Sequence, residues 1–183
     1  MTDAAPPVFD VRFETTAGDF VVRARREWAP HGVDRFHDLV EDGFYDGTRF
    51  FRVVDGFVAQ FGLSGDPARN ERWRRRSIPD DPVVTHNDRG TVTFAMAGPD
   101  TRTTQLFINL VDNRRLDTMG FAPIGEVVEG MDVVDRLHSG YGEGAPRGEG
   151  PDQSRIHAEG NAYLDREYPE LDHVRSAVVV DEG

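Results

Sequence analysis

The sequence predicts a mainly β protein in which eight antiparallel strands form a closed barrel capped by two or three helices. Short apolar stretches are joined by hairpin-length connections, and the regular alternation of strands and helices that marks a parallel sheet does not occur. The 12 Phe residues are scattered along the chain, as expected when side chains fill the interior of a closed barrel. Because 183 residues fit one domain, we assign residues 1–183 to a single domain.

The N-terminal part predicts a hairpin followed by a helix. Apolar and polar residues alternate over 8–15, and an apolar stretch at 20–24 follows a turn around Gly18, which indicates a β-hairpin. A helix is expected to begin at Pro30 and to end at Gly43. Its apolar face repeats at helical spacing through Val33, Phe36, Leu39 and Val40.

A second hairpin and a long polar segment come next. Apolar strands at 50–54 and 57–61 flank Asp55-Gly56, which predicts a two-residue turn. Residues 64–87 are polar without a clear period, so we expect a long loop there. Further strands are predicted at 91–97, 106–111, 122–128 and 174–180, with helices at 132–137 and 154–168.

The composition favours a reducing compartment and argues against several partners. Cysteine is absent, which excludes a disulfide framework, a thiol nucleophile and a cysteine-based zinc site. The net charge of −12 disfavours contact with nucleic acid and with anionic membranes. The sequence has neither an apolar run long enough for a transmembrane helix nor a signal-peptide pattern at its start. We therefore expect a cytoplasmic protein without nucleic-acid or membrane partners.

The basic residues are unusual in kind. All 21 of them are arginine, and lysine is absent. A GC-rich genome is one explanation. The other is adaptation to a salty cytoplasm, where screening reduces the self-repulsion of an acidic surface.

Arg52 lies inside an apolar stretch and is the first candidate for chemistry. Alternation along a strand places it opposite to its neighbours Phe51 and Val53. Phe50 is expected on the same face as Arg52, so this face is not an ordinary solvated surface. Gln60 across the hairpin adds a second donor, and such a pair suits a carbonyl or amide. The alternative is an arginine that snorkels or pairs with an acidic neighbour.

The run FFRVVDGFVAQFG at residues 50–62 resembles a signature of the cyclophilins, which are peptidyl-prolyl cis-trans isomerases with a β-barrel fold. The resemblance implies that Arg52 donates to the prolyl amide nitrogen, with Phe57 and Gln60 as further catalytic residues. Rotation opposes amide resonance, whose barrier is roughly 18–20 kcal/mol. Electrostatic stabilisation of the twisted bond requires no general base, covalent intermediate or cofactor.

Two further segments resemble the walls of the cyclophilin proline pocket. Residues 94–108 resemble the family's second signature, and residues 113–134 resemble a third. The backbone of Met96 would pair with an extended substrate, and Phe107 would form the floor of the pocket. By this resemblance the substrate-binding residues are Val58, Ala95, Met96, Ala97, Gln105, Phe107, Leu116 and Phe121.

Two departures from the family pattern matter in the third segment, and the chain resembles the bacterial or archaeal type of member more closely than the eukaryotic type. Arg115 replaces a frequent tryptophan, which argues against tight cyclosporin binding, and Phe121 is nearest to the position of a missing pocket histidine. The resemblance covers roughly residues 8–137 and the last strand. It leaves residues 139–170 as an extension before that strand, and residues 1–7 as a flexible N-terminus.

Three other signals favour ordinary structural roles. The six His residues lack metal-ligand spacing, so no metal site is predicted. The glycine-rich run 142–150 lacks the Lys-Ser/Thr end of a phosphate loop and is expected to be a flexible loop. The arginines within 72–76 are expected to pair with nearby aspartates.

The sequence therefore predicts a monomeric isomerase that acts on proline-containing peptides and unfolded protein clients during folding. Uncatalysed exchange at Xaa-Pro bonds takes tens to hundreds of seconds. One alternative is a non-catalytic module that holds proline-containing segments, with Arg115 and Phe121 having reduced its turnover. A weaker alternative is a general chaperone surface on the glycine-rich extension.

The composition generates a test of the salt hypothesis. If the acidic surface is adapted to salt, the free energy of unfolding should rise as KCl increases from about 0.1 to 3 M, because screening relieves self-repulsion. Urea denaturation at several KCl concentrations measures this dependence. A free energy of unfolding that does not change over the range would leave genome composition as the explanation.

Overall fold

Eight strands form a single antiparallel sheet in the computed structural model, which describes residues 4–180. Neighbouring strands lie in the order β3-β4-β6-β5-β7-β2-β1-β8, and each neighbouring pair is antiparallel. The prediction of a mainly β fold with eight antiparallel strands is confirmed. The strands are β1 (Val8–Thr15), β2 (Gly18–Arg25), β3 (Arg52–Val54), β4 (Val58–Phe61), β5 (Thr91–Phe94), β6 (Leu106–Asn109), β7 (Pro123–Glu129) and β8 (Val174–Val180).

The prediction of a closed barrel is wrong, because the sheet is open between β3 and β8. The chain that leads into β8 pairs instead with the irregular segment before β3. The contact there is an isolated bridge between Arg49 and His173, with the Phe50 N–H donating to the Asp172 carbonyl at 3.0 Å. β3 itself has three residues and, among the described strands, pairs only with β4.

Residues 4–180 contain five α-helices, more than the two or three predicted. The helices predicted at 30–43 and 132–137 are present, whereas the expected loop at 64–87 contains an additional helix, and the helix expected at 154–168 is divided at Gly160 (φ +65°). None of these helices is long and apolar enough to cross a membrane. They are α1 (Pro30–Glu41), α2 (Pro67–Trp73), α3 (Met131–Asp135), α4 (Gln153–Glu159) and α5 (Asn161–Glu167), with 3-10 turns at Arg26–Trp28 and Arg114–Met119.

The main core is rich in aromatic rings. The Phe13 and Phe20 rings stack at a centroid distance of 4.9 Å, and Phe36 of α1 lies 6.4 Å from Phe13. The predicted apolar face of α1 is buried. Each such side chain contributes about 2 kcal/mol through burial, so this packing fixes α1 against the sheet. The predicted flexibility of residues 1–7 stays a prediction: residues 1–3 lie outside the described residues, and Ala5 is buried in this core.

A second hydrophobic core connects the extension at 139–170 to the rest of the chain. This second core joins α4 and α5 to the segments on either side of the β3–β4 hairpin. Its buried members are Phe51, Leu63, Ile156, Tyr163, Leu164 and Leu171. The extension is therefore packed against the edge of the sheet, next to the strand that carries Arg52.

A buried ion pair fixes the loop between β5 and β6 to the start of α1. Arg102 and Asp81 pair at 3.0 Å, with their side chains 3% and 2% exposed. Asp81 also accepts the backbone N–H groups of His31 and Gly32 in the first turn of α1. Among the described residues, Nε and Nη1 of Arg102 lack hydrogen-bond partners. The buried positive charge of Arg102 therefore relies on Asp81 as its counterion.

We predict that Asp81→Asn lowers the free energy of unfolding by about 3 kcal/mol, because it leaves a buried charge without its counterion. Urea denaturation measures the difference. The matched control is Asp55→Asn in the exposed β3–β4 turn, which should change stability by less than about 0.5 kcal/mol. Equal effects of the two substitutions would contradict the assigned role of the buried pair.

Candidate active site

The β3–β4 hairpin places Arg52 beside Gln60. These residues are direct partners in the antiparallel register, so their side chains lie on the same face. Nη1 of Arg52 donates to Oε1 of Gln60 at 2.9 Å. The connection has three residues, Asp55 to Phe57, rather than the predicted two, because Val54 pairs with Val58. Gly56 supplies the positive φ of +71° that this turn requires.

Arg52 does not share its face with Phe50, contrary to the prediction. Val53 points into the main core while Arg52 is half-buried on the opposite side, as strand alternation requires. Phe50 is fully buried in the main core. The regular strand begins only at Arg52, so the alternation does not extend back to Phe50.

An apolar pocket lies next to the arginine. Val58, Phe107 and Leu116 form a small buried cluster, and Phe57, Ala95 and Phe121 pack against it. Phe107 is the direct partner of Gln60 across β4 and β6. The Phe107 and Phe121 rings meet edge to face at 5.7 Å. The resulting cavity of about 460 Å³ falls within the range of small-ligand sites, about 300–1,000 Å³.

The structure brings most of the proposed site residues together. Nine of the eleven line the first cavity, and Ala97 and Gln105 line an adjoining cavity of about 260 Å³. Gln60, Ala95 and Met96 border both cavities. The nine are Arg52, Phe57, Val58, Gln60, Ala95, Met96, Phe107, Leu116 and Phe121.

The guanidinium of Arg52 is also paired with a carboxylate of the extension. Nε and Nη2 donate to the two carboxylate oxygens of Glu143 at 2.6 and 2.7 Å. The hydrogen bond from Arg52 holds the pKa of Glu143 below its usual range, so this carboxyl stays ionised. The predicted alternative, pairing with an acid, is thus present together with the predicted Gln60 neighbour, but the acid is 91 residues away in sequence.

Comparison with known proteins places this geometry in a family. The family model described as cyclophilin type peptidyl-prolyl cis-trans isomerase/CLD matches residues 10–158. The chain belongs to the cyclophilin-type peptidyl-prolyl cis-trans isomerase family. Its members are isomerases, enzymes that exchange the cis and trans forms of Xaa-Pro bonds.

Individual relatives agree in sequence and in fold. Peptidyl-prolyl cis-trans isomerase B of Escherichia coli strain K12 is 36% identical over 136 residues, covering 69% of this chain and 82% of that protein. A cyclophilin type peptidyl-prolyl cis-trans isomerase of Cryptosporidium parvum superimposes with a TM-score of 0.71 at 20% identity, covering 96% and 99% of the two chains. Its structure in the presence of the dipeptide Ala-Pro gives 0.69 at 20% identity, covering 94% and 99%.

Arg115, which stands where the family often has tryptophan, contacts a pocket ring. Its Cζ lies 5.2 Å from the centroid of the Phe57 ring, and Cζ of Arg52 lies 5.5 Å from the same centroid. Cation–π contacts of this kind contribute about 0.5–1 kcal/mol at exposed sites. The two guanidinium groups therefore hold the Phe57 ring at the rim of the pocket.

Residues of the extension reach the site, and sequence reasoning missed them. The first cavity is also lined by Glu143, Arg147 and Gln153 of the extension, and by Met119 at the end of the second 3-10 turn. The sequence contains only three glutamines, and all three form one hydrogen-bonded chain from Arg52: Gln60 donates to Gln105 at 2.8 Å, and Gln105 donates to Gln153 at 3.1 Å. The small number of glutamines in the chain is the one sequence signal that could have indicated Gln153.

A buried asparagine network behind the pocket was also missed. Asn87 donates to the Phe121 carbonyl at 2.9 Å, and Asn113 donates to the Phe57 carbonyl at 3.0 Å. Asn109 connects them, donating to Asn87 and accepting from Asn113. The network thereby fixes the backbone of two aromatic pocket residues.

Asp117 anchors the outer end of this network. Burial acts to raise its pKa, but hydrogen bonds from His86 and Asn87 together outweigh burial and hold the pKa below the usual range. Asp117 accepts from the Asn87 backbone and side chain at 2.9 and 2.8 Å. It therefore stays ionised and fixes the orientation of the Asn87 amide.

We predict that Asn87→Ala lowers the free energy of unfolding by about 3 kcal/mol, because it leaves several buried polar groups without partners. It should also weaken binding of an Ala-Pro peptide severalfold, since the Phe121 backbone loses its support. Denaturation and calorimetry, the latter at a temperature where the variant is folded, measure the two effects.

The matched control is Asn70→Ala. Asn70 is buried like Asn87 and lines neither cavity. Its side chain accepts a hydrogen bond from the Ser64 N–H and donates one to the Ser64 carbonyl, both at 2.7 Å. This variant should lose stability but keep peptide affinity. If the two variants bind the peptide equally, the network behind the pocket has no part in binding.

Proposed function

We propose that this isomerase uses Arg52 to stabilise the twisted prolyl bond while the proline ring occupies the apolar cavity. The observation that supports the proposal is the juxtaposition of the Arg52 guanidinium with the pocket of Val58, Phe107 and Leu116 along one wall. A proline ring seated in that pocket brings its amide nitrogen towards the guanidinium. The C. parvum relative solved with Ala-Pro supports a proline dipeptide as the minimal ligand.

The proposed chemistry is electrostatic. A planar amide resists rotation because its nitrogen lone pair is conjugated, with a barrier of roughly 18–20 kcal/mol. An N–H donor of Arg52 placed at the nitrogen stabilises the pyramidal nitrogen of the twisted state more than the planar one, and only such differential binding accelerates the reaction. Neither a metal nor a cofactor takes part in this proposal.

The remaining site residues are assigned to positioning and binding. Gln60 orients Arg52 through the 2.9 Å hydrogen bond and presents its amide to a substrate carbonyl. Beyond the end of β5 at Phe94, residues 95–97 lie along both cavities, where an extended peptide can run beside them. Gln105 and Ala97 then contact the residues that precede the proline.

The biological setting is part of the proposal. We propose a cytoplasmic monomer that acts on proline-containing peptides and unfolded protein clients during folding, without nucleic-acid or membrane partners. The acidic composition, with a net charge of −12, supports the exclusion of nucleic acid and anionic membranes.

Replacement of Arg52 by alanine tests the assigned catalysis. We expect at least about a tenfold loss of catalysed exchange, equivalent to about 1.4 kcal/mol, measured by exchange NMR on an Ala-Pro peptide. Stability should change by no more than about 1 kcal/mol, because the pair with Glu143 is partly exposed. An unfolded variant would show instead that the arginine is structural.

Arg49→Ala is the matched control. Arg49 lies three residues earlier, pairs with Asp165 of the extension at 3.0 Å and lines neither cavity, so catalysis should be unchanged. Peptide binding without accelerated exchange in the native chain would favour the alternative of a non-catalytic binding module.

A further inference from the structure

Glu143 forms a bidentate ion pair with the guanidinium that the proposed chemistry requires. Its two carboxylate oxygens accept hydrogen bonds from Nε and Nη2 of Arg52, and Oε1 of Gln60 accepts one from Nη1. Three of the five N–H groups of an arginine side chain thus donate to described residues. Two N–H groups remain for a substrate, and the plane of the guanidinium is already fixed before a peptide arrives.

The loop around Glu143 is built to hold this carboxylate in place. The Gly144 N–H donates to Oε1 of Glu143 at 2.8 Å, and the Gly150 N–H donates to the Glu143 carbonyl at 2.9 Å. A Cβ at Gly148 would collide with that carbonyl, and a Cβ at Gly150 would approach it to 2.8 Å. The glycine-rich run therefore forms a tight turn around Glu143, and its predicted flexibility stays a prediction.

The loop is also tied to the second core. The Tyr168 hydroxyl donates to the Glu149 carbonyl at 2.9 Å, and Tyr163 of α5 accepts the Asp152 N–H at 3.0 Å. Both tyrosines pack in or against that core. These contacts attach the C-terminal end of the glycine-rich run to the second core.

Glu143 forms part of the cavity wall and does not fill the cavity. The space of about 460 Å³ is present with the ion pair in place. The second attachment of the extension, Gln153 at the end of the glutamine chain, lies on the same wall. Glu143 contacts the arginine through Nε and Nη2 and leaves the apolar pocket of Val58, Phe107 and Leu116 open.

We infer that Glu143 is a positioning residue, which holds the Arg52 guanidinium in its reactive orientation. The inference rests on the proposed catalytic role of Arg52. A free arginine loses much rotamer entropy when it is ordered, and a bidentate carboxylate removes that loss from the catalytic step because the side chain is ordered beforehand. The same carboxylate reduces the positive field at the prolyl nitrogen. In this inference, the rate gained by orienting the guanidinium exceeds the rate lost to the weaker positive field.

Glu143→Gln tests the inference, because it keeps the shape of the side chain and removes its charge. We expect kcat for an Ala-Pro peptide to fall about fivefold, while the peptide dissociation constant changes by less than about twofold. Exchange NMR over a series of peptide concentrations separates the two quantities. The matched control is Glu149→Gln, an exposed glutamate of the same loop that lines neither cavity, which should leave kcat unchanged.

A spectroscopic readout separates positioning from a purely structural effect. The Nε–Hε signal of Arg52, assigned by its loss in Arg52→Lys, should be resolved and slow to exchange in the native chain and broadened in Glu143→Gln. In the Arg52→Lys background, Glu143→Gln should have less than half of its effect on kcat, since the bidentate contact is already absent.

The outcomes distinguish the inference from the proposal on which it depends. Unchanged or increased kcat in Glu143→Gln, with a native chain that is active and an inactive Arg52→Ala, overturns the role of Glu143 alone. Increased kcat would make the contact inhibitory. A native chain without catalysis, or an active Arg52→Ala, overturns the catalytic assignment itself.

Discussion

Cross-strand register is the constraint on which the whole site depends. Arg52 pairs with Gln60, and Gln60 pairs with Phe107, so a cation, an amide and the pocket floor form one row across three strands. A slip of one residue in either pairing would turn one of them to the opposite face. The turn at Gly56 fixes the first pairing, and the burial of every β4 and β6 residue fixes the second. The register thereby determines which side chains face the candidate site.

Features that depend on residues close together in the sequence could be predicted, whereas contacts between residues far apart in the sequence could not. The hairpins and the apolar face of α1 depend on spacings of a few residues and were found. The capping signal of α2 was also local, since Asp66 accepts the Ala68 N–H and Pro67 follows it, but it was overlooked within a polar segment. The Glu143 contact joins residues 91 positions apart, and no spacing rule reports such a pair. The family resemblance supplied the other site residues because it records tertiary neighbours that periodicity cannot.

The two sides of the pocket are stabilised by different physics. The front is apolar, and apolar contacts are non-directional. Behind it the amides of Asn87, Asn109 and Asn113 are buried and bonded to one another and to the backbone. Buried polar groups are costly unless they are satisfied, and a satisfied network specifies one arrangement. The apolar contacts of the pocket walls would permit several arrangements. The directional hydrogen bonds of the asparagine network behind the pocket therefore maintain one of them.

Three successive residues connect the main core, the extension and the site. Phe50 belongs to the main core, Phe51 to the second core, and Arg52 to the cavity wall. An edge strand normally exposes unpaired backbone groups and needs covering. Next to the β3 edge, the second core packs the extension against Phe51, and Glu143 of the extension contacts Arg52. The extension thereby packs against the edge of the sheet and brings a carboxylate to the cation, which neither strand of the β3–β4 hairpin could supply.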